Sequence, residues 1–314
     1  MKVVFQYDAS PALAQELVRL SVDGLAIVPC PEGDLPRFLA LMAEAEAVFH
    51  VLRPITAEII AASPKLKLIQ KIGVGVNTID LAAAKARGIK VANMPGTNTR
   101  AVAETALLLM LAALRRLPAL DRATRDGRGW SLDPSVYDAV GEIGGKVVGL
   151  VGYGAVGRML TPMLRALGAD VIYTAREPKP DALASYRPLA VLLAEADIVS
   201  LHLPLTDATA KMIDDAAIRR MKPGAVFVNT ARGGLTDEAA LVAALRVGRV
   251  RAAGLDVFAT EPVGPDNPLL ALDNVVVMPH VAWLTPETLS RSLGIAIENC
   301  RRLARGEEIR FRVA

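Results

Sequence analysis

The residues Gly149-Leu150-Val151-Gly152-Tyr153-Gly154-Ala155-Val156-Gly157 carry the spacing G-x-G-x-x-G. Alone the pattern is weak. Here it follows an apolar run and opens a helical one, the strand–turn–helix setting its chemistry needs. Gly152 permits a tight turn, Gly154 lets a pyrophosphate approach the backbone, and Gly157 lets the helix pack close to the strand. Free N–H groups at the helix start then face phosphate. A tight turn without a ligand is the plainer alternative, and the setting favours a dinucleotide. The next apolar run, 170–174, selects which one. A carboxylate near its end would hold ribose hydroxyls and choose NAD. The chain has Thr174, Ala175 and Arg176 there, with Lys179 beyond. A guanidinium can bind a 2′-phosphate through paired hydrogen bonds, so NADP(H) is favoured over NAD(H). Glu177 is the counter-argument, since it could reach back, and Arg176 could be an ordinary solvated charge.

These loops need strands and helices to hold them. Apolar runs at 2–7, 25–29, 47–52, 66–72 and 89–92 predict strands, with helices at 11–20, 35–45, 57–62 and 81–87 between them. Such alternation implies a parallel sheet covered by helices. Asn98 could cap a long helix reaching about Leu117, with Glu104 near its start, Arg115 and Arg116 near its end, and Pro118 to stop it. Residues 121–144 are polar and broken by Gly, Pro and Asp, which predicts mostly irregular chain. A second alternation follows, with strands at 146–151, 170–174, 198–203, 225–230, 251–257 and 274–278. Its helices start near Ala155, Leu189, Asp214 and Asp237. Pro162 inside the first of these predicts a kink or a late start. A helix at 286–303 and a short tail at 309–313 end the chain. The fold class is therefore α/β, with two doubly wound parallel-sheet domains. A dinucleotide-binding domain, 99–284, is inserted into a first domain made of 1–98 plus 285–314.

Hydrophobic residues make up 52% of the chain but aromatics only 4%, so Val, Leu, Ile and Ala must fill the cores. A net charge of +3 without a basic run argues against nucleic acid as partner. Cys30 and Cys300 form no CxxC pattern, which argues against a metal or redox motif and favours free thiols in a reducing compartment. Residues 1–7 read as a strand rather than a signal peptide. The most apolar run, 105–114, falls short of the ~20 residues that span a bilayer. The expectation is a soluble, cytoplasmic protein without a membrane or metal partner.

Several segments in order resemble the D-2-hydroxy-acid dehydrogenases, most strongly from Lys65 onward. They are Ile72-Gly73-Val74-Gly75-Val76-Asn77-Thr78-Ile79-Asp80, Asn93-Met94-Pro95-Gly96 followed by Ala101-Val102-Ala103-Glu104, and Glu142-Ile143-Gly144-Gly145-Lys146. Val228-Asn229-Thr230-Ala231-Arg232-Gly233, Gly254-Leu255-Asp256-Val257-Phe258 with Glu261-Pro262, and Pro279-His280-Val281-Ala282 complete the set. That family usually has Asp where this chain has Asn77. The resemblance implies a flavodoxin-like substrate domain, a Rossmann domain, and a small 2-keto or 2-hydroxy acid substrate. It implies that Arg232 holds the substrate carboxylate and carbonyl oxygen, that His280 is the proton donor, and that Glu261 pairs with His280. Hydride delivery to a ketone builds negative charge on oxygen, which a cation and a proton donor offset. In isolation Arg232 could be a helix-start charge, Glu261 a turn cap, and His280 a core histidine. Each lies just beyond the C-terminal end of a predicted strand, where open α/β sheets bind ligands, and this favours the functional roles.

The same resemblance gives the backbone of Val74 and Gly75 to the substrate carboxylate, and Arg53, in a loop, to the substrate's far end. It gives Ala155, Val156, Thr230, Ala231, Asp256, His202, Pro204 and Thr209 to the cofactor, although a structural role for His202 is equally open, as it is for His50. Trp283 resembles the Ala-Trp pair of the glyoxylate and hydroxypyruvate reductase branch, which implies a short substrate side chain. Another 2-hydroxy acid, such as phosphoglycerate or D-lactate, is the alternative substrate. A dinucleotide-sensing binding protein of the same fold is the rival class. Family members commonly pair, so a homodimer is expected through the helix at 98–117 and the loop around Trp130.

Overall fold

The computed structural model describes residues 1–314. The chain divides into two compact units, Met1–Asn98 with Thr285–Ala314, and Thr99–Leu284. The first begins with β1 (Lys2–Gln6), α1 (Pro11–Leu20), β2 (Ala26–Cys30), α2 (Leu35–Met42), β3 (Ala47–His50), α3 (Ala57–Ala61), β4 (Leu68–Lys71), α4 (Leu81–Ala86) and β5 (Lys90–Ala92). Its strands are all parallel, in the order β2-β1-β3-β4-β5. Every residue of β3 and β4 is buried, as expected for a parallel sheet covered on both faces. The helices start where the sequence supplies a side-chain acceptor. Ser10, Asp34, Thr56 and Asp80 each cap a backbone N–H in the first turn, replacing a partner the helix itself cannot provide.

The second unit runs through α5 (Thr99–Leu114), α6 (Leu117–Arg125), α7 (Ser135–Asp138), β6 (Val147–Val151), α8 (Ala155–Ala166), β7 (Asp170–Thr174), β8 (Ser185–Tyr186) and α9 (Leu189–Glu195). It continues with β9 (Ile198–Leu201), α10 (Asp215–Arg220), β10 (Ala225–Asn229), α11 (Glu238–Arg246), β11 (Val250–Leu255) and β12 (Val275–Val277). The seven strands are parallel, in the order β12-β11-β10-β9-β6-β7-β8. One face buries Leu192, Ile218, Leu241 and Leu245 from α9, α10 and α11. The other buries Leu109, Met110, Leu160 and Leu164 from α5 and α8. The strand order reverses between β6 and β9, and such a switch point opens a crevice at the carboxyl ends of the strands.

The chain then returns to the first unit as α12 (Pro286–Ala304). Buried Asn299 fastens it there. Its Nδ2 donates to Gln70 Oε1 at 2.7 Å, and its Oδ1 accepts from the Arg310 amide at 2.7 Å. The tail closes on β5, where the Val91 amide donates to the Ala314 carbonyl and the Val313 amide to the Val91 carbonyl.

Two local expectations need correction. The helix expected to reach Leu117 ends at Leu114, and Arg116 turns the chain at φ 50°. Pro118 opens α6 instead of stopping α5, because a first-turn residue needs no N–H partner. The segment 121–144 is mostly irregular, as expected, apart from the end of α6 and the short α7. Pro162 does not delay α8, which starts at Ala155. It stands on the exposed face, while Gly157, Leu160, Thr161 and Leu164 hold the helix on the sheet. The edge strand β8, only Ser185–Tyr186, is too short to leave a periodic signal. No helix is long and apolar enough to cross a membrane.

Candidate active site

The glycine turn joins β6 to α8 at the switch point. Gly152 has φ +99°, and a Cβ there would sit 2.3 Å from the His202 carbonyl oxygen, so no side chain fits. The turn is closed on both sides, by the Gly152 amide donating to Thr174 O at 2.9 Å and the His202 amide donating to Val151 O at 2.7 Å. Gly157 faces the Gly152 carbonyl, 2.9 Å from where a Cβ would lie, so the helix can start tight against the turn. At Gly154 nothing stands within 4 Å of a Cβ position. Gly154 caps α8 without a side-chain hydrogen bond, which leaves first-turn amides such as those of Ala155 and Val156 for an anion. At the carboxyl end of β10, the Thr230 hydroxyl is buried without a hydrogen-bond partner. An open cradle of amides and an orphaned hydroxyl fit a dinucleotide.

The other expected cofactor residues divide by what their side chains already do. Thr174 is half-buried at the end of β7, and Arg176 is exposed two residues on. The loop beyond folds back as the Lys179 amide donates to the Tyr173 hydroxyl at 2.6 Å. His202 bonds Ser200 through Nε2 at 2.9 Å, and burial lowers its pKa to about 4, so it is neutral near pH 7. Its backbone shapes the glycine turn. Thr209 closes its own loop by donating to Pro204 O at 2.8 Å and accepting from the Thr206 amide. The Ala231 amide donates to Asn229 Oδ1 at 3.0 Å, and Asn229 Nδ2 donates to Arg232 O at 2.9 Å. Asn229 thereby shapes the turn from which Arg232 projects, a part its place inside an apolar strand did not announce.

Arg232, Asp256 and His280 follow the ends of β10, β11 and β12. His280 Nδ1 lies 2.6 Å from Glu261 Oε2. The second carboxylate oxygen accepts from the Phe258 amide at 2.9 Å. Burial pushes the Glu261 carboxyl up, but the His280 hydrogen bond and charge, the Phe258 amide and the Arg232 charge together hold it below its ordinary value. An ionised carboxylate only accepts, so His280 Nδ1 is the donor in this contact. Burial lowers Arg232 from its usual guanidinium value, and the Glu261 charge opposes that shift. Gly233 packs directly on the Phe258 backbone, 1.9 Å from carbonyl carbon to a would-be Cβ, so the Arg232 turn and the Glu261 turn are pressed together.

Asp256, assigned by resemblance to the cofactor, is 1% exposed and holds the histidine loop. Its carboxylate accepts from the Val281 amide at 2.8 Å and the Ala282 amide at 2.9 Å, and its carbonyl accepts from the His280 amide at 2.8 Å. Burial raises its carboxyl above the ordinary value despite those amides. His280 itself has φ 57°, a conformation uncommon outside glycine that such anchoring sustains. Trp283, just beyond, is buried.

Val74, Gly75 and Arg53 belong to the first unit. Val74 is exposed, and its carbonyl accepts from Asn93 Nδ2 at 2.9 Å. The other end of that loop is tied by Thr78, whose hydroxyl meets His50 Nε2 at 2.8 Å. His50 is buried, and burial followed by the Lys71 charge holds it well below the ordinary histidine value. The Arg53 guanidinium donates to the Glu32 carbonyl, so part of its donor set is engaged within its own unit. No cluster of three or more His, Cys, Asp or Glu side chains is placed to hold a metal.

Residues 107–282 match the family model for the D-isomer specific 2-hydroxyacid dehydrogenase NAD binding domain. A glyoxylate reductase of Korarchaeum cryptofilum is 41% identical over 259 residues, covering 81% of this chain and 78% of the relative. A D-3-phosphoglycerate dehydrogenase of Mycobacterium tuberculosis is 43% identical over 279 residues, covering 87% of this chain and 52% of the relative. The chain thus spans about half the length of that enzyme. The solved structure of an NADPH-dependent glyoxylate/hydroxypyruvate reductase of Sinorhizobium meliloti, in complex with NADP and malonate, superposes with a TM-score of 0.84 at 29% identity, covering 100% of this chain and 96% of that one. The second unit is a nicotinamide dinucleotide-binding domain. The chain belongs to the D-isomer specific 2-hydroxyacid dehydrogenase family.

Proposed function

We propose that this protein reduces a short 2-keto acid, glyoxylate or hydroxypyruvate, to the hydroxy acid, the D isomer where C2 becomes chiral, with NADPH preferred over NADH, and that it also runs the reverse reaction. The observation that carries this reading is the 2.6 Å contact between His280 Nδ1 and Glu261 Oε2, with the Arg232 charge acting on the same carboxylate. The Ala155 and Val156 amides and the Thr230 hydroxyl would hold the cofactor. When bound, reduced nicotinamide supplies the hydride for the new C–H bond at C2. The carbonyl π pair moves onto oxygen, where Arg232 offsets the growing charge. The proton on His280 Nε2 completes the hydroxyl and leaves a neutral imidazole that still donates from Nδ1 to Glu261. In the oxidation direction Nε2 takes the hydroxyl proton. The Val74 and Gly75 backbone is assigned to the substrate carboxylate, and Trp283 limits the side chain.

NADPH is preferred because Thr174 stands where a carboxylate would repel a 2′-phosphate, and exposed Arg176 follows it. Oxidation of 3-phosphoglycerate is the second reading, favoured by the mycobacterial relative; the phosphate would need further cations, for which Arg53 is the candidate. Nicotinamide absorbance loss distinguishes them, using NADPH and NADH with glyoxylate, hydroxypyruvate and 3-phosphohydroxypyruvate. Faster NADPH oxidation with the first two is expected. Equal or better use of NADH would overturn the cofactor preference, and best turnover of the phosphorylated acid would overturn the substrate. No oxidation with these or other 2-keto acids would favour a dinucleotide-sensing protein. The working species is proposed to be a homodimer, since Trp130 is 88% exposed and Leu108 on α5 and Leu117 on α6 are half exposed. Sedimentation of a 33.3 kDa species alone would reject it.

A further inference from the structure

Glu238 is the first residue of α11, yet its carboxylate does not serve its own helix. Asp237 is the cap, accepting from the Ala240 amide at 3.2 Å. Glu238 reaches across the chain instead. Its Oε2 accepts from the Ala259 amide at 2.9 Å, and its Oε1 accepts from Asn267 Nδ2 at 2.7 Å. Ala259 lies inside the turn in which the Phe258 amide donates to Glu261. Asn267 in turn caps the short helix Pro268–Ala271 through the Leu269 amide at 2.9 Å, on the way to β12 and His280. On its own side, Glu238 follows the short helix Gly233–Leu235, and Gly233 is pressed on Phe258. One carboxylate therefore fastens the segment after Arg232 to the turn that carries Glu261 and to the segment that leads to His280.

We propose that Glu238 is a positioning residue that holds the Glu261 carboxylate in register with His280, acting through its hydrogen bond from the Ala259 amide rather than its charge. The inference rests on the function proposed above for Arg232, Glu261 and His280. A carboxylate at a helix start also favours the helix dipole, and substitution separates the two effects. Glu238→Asp keeps the charge but shortens the reach by one methylene. Glu238→Gln keeps the reach and an acceptor for the Ala259 amide, but loses the charge and, with an NH2 in place of the second oxygen, the bond from Asn267 Nδ2.

The test compares wild type with Glu238→Asp, Glu238→Ala and Glu238→Gln by steady-state kinetics and by the downfield imidazole N–H proton of His280 in the protein without cofactor. That proton reports the 2.6 Å contact without turnover, and His280→Ala identifies it. Glu238→Asp and Glu238→Ala are expected to lose about 10- to 100-fold in kcat, as a misplacement near 1 Å can, with little change in cofactor affinity and with the His280 signal shifted or broadened. Glu238→Gln is expected to keep the signal and most of kcat. An unchanged signal and kcat in Glu238→Asp would overturn the proposal. So would loss in Glu238→Gln with retention in Glu238→Asp, which would leave only the helix charge. If wild type turns over no keto acid but the signal responds as expected, the positioning role stands and the proposed reaction fails. Should Glu238→Ala not fold, Asp against Gln carries the decision.

Discussion

Arg232→Ala is expected to lower kcat/KM for keto-acid reduction by roughly 10³- to 10⁵-fold while leaving cofactor affinity close to wild type. The loss has two parts. A preorganised donor to developing oxyanion charge contributes about 10²- to 10³-fold to kcat, and a charge-assisted hydrogen bond to the substrate carboxylate adds about 1.5–3 kcal/mol of binding. The structure explains why no neighbour replaces it. Asn229 sets the turn from which Arg232 projects, and Gly233 fixes the next residue against Phe258. Arg232→Lys should recover only part of the loss, because an ammonium offers a point charge where the guanidinium offers a planar fork. Steady-state kinetics with a fluorescence titration of the cofactor checks both parts. A loss below about ten-fold would remove Arg232 from the chemistry, since acid–base and oxyanion groups contribute more than that.

The strands and helices were largely legible because a parallel sheet buried on both faces leaves long apolar runs, and side-chain caps such as Ser10 and Asp80 mark where helices begin. Pro118 misled because proline both stops one helix and starts the next, and only the turn at Arg116 decides which. The glycine loop was readable as chemistry because close approach demands glycine at fixed spacing, and the Gly152 contact with His202 is that demand in three dimensions. Arg232, Glu261 and His280 stand out as candidates only through resemblance together with their places beyond strand ends, since each residue alone has an ordinary structural explanation. The supporting residues were harder still. Asp256 anchors a loop 25 and 26 residues further on, and Glu238 one 21 residues further on. Hydrogen bonds of that kind follow no helical or strand period, so only the fold reveals them. Cofactor preference lies between these cases: Thr174 and Arg176 carry the proposed preference for NADPH, and binding measurements test it.

His280→Ala is expected to lower kcat about 10²- to 10⁴-fold, the range for a positioned general acid, and Glu261→Gln to change the pH profile as well as the rate. In the proposed reaction His280 gives the proton, and Glu261 holds it by accepting from Nδ1. With glutamine at 261 the charged acceptor is gone, so the rate should fall. On the acid side the sign follows from Glu261 itself. Its carboxyl is held below its ordinary value in the fold, so the pair persists above the ordinary carboxylate range and is lost only as pH falls through the lowered value. Wild-type reduction should thus remain active into mildly acidic solution, with the acid-side fall absent from Glu261→Gln, which has no carboxyl to protonate. Profiles of kcat/KM against pH for the wild type and Glu261→Gln make the comparison, and an acid-side fall that persists unchanged in Glu261→Gln would separate it from the Glu261 carboxyl.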